Sequence, residues 1–268
     1  MKRRRFLNAL TAGSLLGGII RAEERSVPTI RILDEGWGTA SLSDLTAVIQ
    51  SAAGILWKYF PGRRLEPIMI QRTRSGPMVH FERNYRREIV MDLDTENTYW
   101  CQYAYQFAHE FCHILANFDQ DGTSNLWFEE MLCETASLFT LRHMADQWRT
   151  DPPFPNWKPY ARELTKYAET VVKSREKIPS GTLNEFYKKH AEELRGKPTS
   201  RELNGAMANV LLEMFEQSPE RWEAVTWLNS SKSAPDETFE FYLEKWLRAA
   251  PPRHQLFIVD IKRAFGII

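Results

Sequence analysis

The chain reads as an α+β protein: a small N-terminal twisted β-sheet with a helix, followed by a helix pair and a mostly α-helical C-terminal half. Short runs with strand alternation are confined to residues 29–94, and helical periodicity dominates from residue 98 onward. A third observation bounds the class. Of 268 residues 43% are hydrophobic, with 9 Trp and 15 Phe, which suffices for a sizeable core and excludes disorder throughout. The 35 Lys+Arg balance 35 Asp+Glu, so no basic excess points to nucleic acid. Three cysteines cannot form a disulfide scaffold in so long a chain.

The first element expected is a leader. Lys2, Arg3, Arg4 and Arg5 precede an apolar segment from Phe6 to Ile20, which matches the n-region and h-region of a secretory signal. Arg3, Arg4, Phe6 and Leu7 also resemble the twin-arginine export signal of bacteria. Residues 1–22 are therefore read as a signal peptide cleaved after Ala22, with an uncleaved anchor as the other reading, and the mature chain is expected to be periplasmic or extracellular. No apolar stretch of about 18 residues follows, so no stable membrane span is expected in the mature chain.

Thr29 to Leu33 alternates as a strand does, and Ser41 opens a helix running toward Phe60 that Pro61 and Gly62 end. Three β-type runs follow, Glu66 to Arg72, Pro77 to Arg83 and Arg87 to Leu93, separated by Ser75, Gly76 and Asn84. Thr98 to Asn117 reads as one long helix. Asp119 to Gly122 reads as a turn, because it lacks the ligand set and closing Glu of a calcium loop. A second helix is expected over Leu126 to Trp148, and the proline-rich stretch Asp151 to Pro155 divides a core at 23–150 from a helical region at 151–268. That region carries helical patterns near 157–177, 182–194, 202–217, 219–228, 236–249 and 255–265, with Trp222, Trp227, Phe239, Tyr242 and Trp246 at core-like spacing.

The chemistry lies in His109-Glu110-Phe111-Cys112-His113, an HExxH pattern inside the first long helix. Histidines four apart share one helical face, so both imidazoles can reach one zinc ion, and Glu110 sits beside that face where it can approach a water. Two surface histidines are the bland alternative. The next helix begins Trp127-Phe128-Glu129-Glu130, and the 16 residues between His113 and Glu130 allow a helix end, a turn and an antiparallel return that brings Glu130 in as third ligand. Glu134 falls one turn further on the same face, where it can accept the free ring N–H of a ligand histidine.

Here the sequence resembles the gluzincin metallopeptidases, the thermolysin-like and aminopeptidase-like branch of clan MA. In that clan the HExxH helix is followed by W-x-x-E with an acidic residue four positions later, which Trp127, Glu130 and Glu134 match. The resemblance covers the 26 residues from His109 to Glu134. Met131 departs from the small residue common after the third ligand, and the spacing between the two motifs is slightly shorter than in the aminopeptidase branch. Glu129 competes as third ligand, and the tryptophan spacing favours Glu130. The metzincin pattern is excluded, since residues 114–120 contain neither its Gly nor its third His.

The resemblance implies one Zn2+ per chain with an open position for water, Glu110 as general base, and hydrolysis of a peptide or protein substrate. It further implies an edge strand that aligns extended substrate, for which Arg87 to Asp94 is the candidate, and an oxyanion donor downstream, for which Tyr160, Tyr187 and His190 are available. Cys112 and Cys133 are read as buried free thiols, with a disulfide between the two helices as the alternative. The competing functional reading is a non-catalytic, exported zinc-containing module that binds a partner through its helical half. Residues 1–22 hold five basic and no acidic side chains, so the expected mature chain has a net charge of −5.

Overall fold

The computed structural model describes residues 27–118 and 124–267. The expected leader and the Asp119 to Gly122 turn lie outside the described residues. Four strands form one sheet, β1 (Ile30–Ile32), β2 (Ile68–Arg72), β3 (Met78–Arg83) and β4 (Ile89–Leu93), in the order β1-β2-β4-β3. β1 and β2 are parallel, Ile30 opposite Ile68, because the chain crosses between them through α1 (Leu42–Trp57). The hydroxyl of Ser41 caps α1 by accepting from the Asp44 N–H at 3.1 Å.

β2 and β4 are also parallel, whereas β3 and β4 form an antiparallel hairpin. Its turn is set by Asn84, whose side-chain oxygen accepts from the N–H groups of Arg86 and Glu88, while Arg87 takes a positive φ of 59°. This arrangement corrects the expected edge strand. Residues 87–94 contribute β4, which pairs on both sides and buries Ile89, Met91 and Leu93; the edges are β1 and β3, and β3 leaves Met78, Phe81, Glu82 and Arg83 exposed. Chain order put β4 next to the long helix, but the hairpin folds β3 outside it.

The two long helices follow, α2 (Trp100–Leu115) and α3 (Leu126–Trp148). α2 ends without glycine. Asn117 adopts φ 55°, and the N–H groups of Phe118 and Asn117 return to the carbonyls of His113 and Ile114 at 3.1 and 3.3 Å, a Schellman closure. Asn117 is fixed from outside as well, since Arg63 donates to its oxygen and its own amide donates to the Thr226 carbonyl. α3 is buried on nearly every side, between α2 on one flank and the later helices on the other. Two of its buried hydroxyls find carbonyls: Thr135 donates to that of Met131 at 2.8 Å and Ser137 to that of Tyr105 at 2.9 Å.

Beyond residue 150 come α4 (Ala161–Lys173), α5 (Leu183–Gly196), α6 (Arg201–Gln217), α7 (Phe239–Ala249) and α8 (Pro252–Ala264). The expected helix from Trp157 is divided, because Pro155 and Pro159 lack N–H donors: residues Pro155–Tyr160 form a 3-10 turn and α-helix begins at Ala161. Pro219–Trp227 is likewise 3-10 rather than α, and it buries Trp222 and Val225 at the three-residue spacing of that helix. α4 and α6 pack directly on α3, and one continuous apolar cluster runs from Trp37 to Phe265, across the proline-rich break. No helix among the described residues is long and apolar enough to cross a membrane.

Candidate metal centre

The 3.6-residue period of α2 places His109 and His113 one turn apart, with ring centroids 5.2 Å from each other. α3 returns antiparallel and lays the Glu130 carboxylate against both. One Glu130 oxygen is 3.2 Å from Nε2 of His109 and the other is 3.6 Å from Nε2 of His113. Glu110 is 4% exposed and lies near the backbone of Val79, which brings the HExxH glutamate close to the edge strand β3.

Burial works against charge on His109, yet the Glu130 hydrogen bond and the nearby Glu110 and Glu134 outweigh it and push the imidazole up to about 9. Burial likewise opposes charge on His113, and the Glu129 hydrogen bond with the charges of Glu129, Glu130 and Glu110 pushes it up to about 9. Glu130 is held below the usual carboxylate range, because the two histidines and Arg201 overcome its desolvation. Desolvation dominates at Glu110 and raises it.

The carboxylates around this cluster divide their work differently from the sequence expectation. Glu129, the competing third ligand, reaches Nδ1 of His113 at 2.5 Å and leaves Nε2 of that ring turned to Glu130. Its second oxygen accepts from Asn229 at 2.6 Å, and the Asn229 oxygen accepts from the Tyr242 hydroxyl at 2.8 Å. Glu134 was expected on a histidine ring. Its hydrogen-bond donor is instead the Tyr105 hydroxyl, with Arg175 at 3.7 Å, and it acts on His109 through charge. The Arg175 head lies over Gly205 of α6, where a Cβ would meet its Nε at 2.5 Å.

Cys133 is fully buried beside Cys112, and all three cysteines are free thiols. A ring nitrogen from each of His109 and His113 and the Cys133 sulfur lie within 4.8 Å of one another. The three expected oxyanion donors have the following neighbours. Tyr187 stacks on Trp127 at 5.2 Å, Tyr160 accepts from the Cys101 thiol at 3.5 Å, and Nδ1 of His190 lies 3.7 Å from Glu193. Tyr105 lies one turn before His109, so helical spacing alone could have placed it here. Arg175, Arg201, Asn229 and Tyr242 come from distant elements and carry no such signal.

The donor set fits zinc. Two imidazole Nε2 atoms and one carboxylate suit that ion, and His113 is pinned through its other nitrogen so that Nε2 faces the Glu130 carboxylate. Comparison with family models, with curated proteins and with solved structures finds no match. The resemblance to gluzincins therefore rests on the motif residues alone.

Proposed function

We propose that the chain is an exported zinc-dependent metallopeptidase, with His109, His113 and Glu130 holding the ion and Glu110 as general base. The observation that carries this reading is the convergence of both Nε2 atoms on Glu130, with a buried Glu110 beside the edge strand. Bound there, zinc supplies Lewis acidity toward a water molecule and a substrate carbonyl. Glu110 takes the proton released by the attacking water and delivers it to the leaving amine. Its desolvated setting, which raises the affinity of the carboxylate for a proton, suits a base that must work near neutrality. The open edge of β3 supports an extended substrate strand laid beside Glu110.

Replacing Glu110→Gln tests the reading. Zinc content should stay at about one per chain, while cleavage of a mixed peptide library should fall by about 100-fold or more. Undiminished cleavage in that variant would remove Glu110 from the mechanism. One observation favours a second reading, a non-catalytic zinc module. Cys133 lies within reach as a fourth donor, and a site closed by four protein ligands is structural rather than catalytic.

A further inference from the structure

We infer that Asn229 is a positioning residue of the metal centre, acting through Glu129 to hold His113 in the one orientation that turns Nε2 toward Glu130. The inference rests on the metal-site reading above and extends it to a residue 100 positions away in sequence from the carboxylate it contacts. Glu129 is buried, so both of its oxygens need partners, and it has one on each side. Nδ1 of His113 lies 2.5 Å from one oxygen, and the Asn229 amide lies 2.6 Å from the other.

The chemistry fixes the direction of every bond in this chain. Carboxylate oxygens only accept, so His113 presents Nδ1–H and Asn229 presents its NH2 group. The Tyr242 hydroxyl then donates to the remaining Asn229 oxygen at 2.8 Å, and turning the amide over would set oxygen against oxygen at Glu129. The Tyr242 side chain is itself buried in α7, and the 3-10 segment before Asn229 is tied to the same helix where Nε1 of Trp246 donates to the Ala224 carbonyl at 2.8 Å. Asn229 is thus gripped from both ends. In the neutral ring, with Nδ1 protonated and committed, the lone pair of His113 sits on Nε2, the atom a metal needs.

The test uses the full chain and two variants, Asn229→Ala and Asn229→Leu, the second filling the amide's volume without donating. Zinc affinity is measured by chelator competition, and the His113 Nδ1–H proton is followed by NMR in the zinc-loaded protein. Both variants should bind zinc about 10- to 100-fold more weakly, and the proton resonance should move or vanish in both. Wild-type affinity in Asn229→Leu would assign Asn229 to packing and overturn the inference. So would weaker binding with an unmoved His113 resonance. A wild-type chain that takes up no zinc at all overturns the metal reading together with this one, whereas a zinc-binding wild type with indifferent variants overturns this one alone.

Discussion

Trp127→Ala separates a packing role for the tryptophan of the W-x-x-E pattern from a role at the metal. The indole is 1% exposed, and its ring centroid lies 5.8 Å from Phe128, 5.2 Å from Tyr187, 4.6 Å from Phe239 and 5.9 Å from Phe265. Truncation leaves a cavity between α3, α5, α7 and the end of α8. Losing a fully buried aromatic costs about 3–5 kcal/mol. At a urea slope of about 3 kcal/mol/M, the unfolding midpoint of the metal-free protein should drop by about 1 to 1.7 M, read by far-UV circular dichroism. Trp127→Phe should recover a substantial part of that loss. A midpoint that moves by less than about 0.3 M, accompanied by weaker zinc binding, would refute the packing argument and assign the indole to the centre itself.

Two further outcomes are expected. With Co2+ in place of zinc, the peptidase reading predicts no sulfur-to-cobalt absorption and the same spectrum in Cys133→Ser; a sulfur band lost in that variant would instead favour the closed, non-catalytic site. Glu88 is pushed down to about 2 from its ordinary 4.5 by its hydrogen bonds to Arg31 and Asn84, so its contribution to stability is present above pH 4.5 and lost as pH falls toward 2. Thermal melting across that window should fall more steeply for the wild type than for Glu88→Gln, and parallel curves would count against the pairing.

Most of the fold was legible because local signals agree with tertiary structure here. α3 spans Leu126–Trp148 as its pattern predicts, and Ser41 caps α1 as its position suggests. Legibility failed where the outcome depends on chain path. Alternation marks residues 78–83 and 89–93 as strands, but only the fold of the hairpin decides that the first is an edge. At the site the same boundary holds. His109, Glu110, His113 and Glu130 are joined by helical spacing and a short stretch of sequence between α2 and α3, so their meeting is local in origin. Glu129 was visible as an acidic neighbour of Glu130, yet its commitment to His113 depends on Asn229 and Tyr242, which no spacing rule connects to it.

Under the proposed reading, the electrostatics of this constellation suit a divalent cation. Glu110, Glu129 and Glu134 are each about 95% buried, and Glu130 is largely so, which concentrates negative charge where desolvation costs several kcal/mol per ion unless partners compensate. Tyr105 and Arg175 meet Glu134, and Asn229 shares Glu129 with His113. What remains falls on the two histidines, both pushed up to about 9 and so both carrying a proton at neutral pH. Two protons and one divalent ion bring the same charge. Exchanging the first for the second leaves the buried carboxylates balanced while freeing both Nε2 lone pairs, so the residues that stabilise the protonated pair are the ones that would also hold the metal.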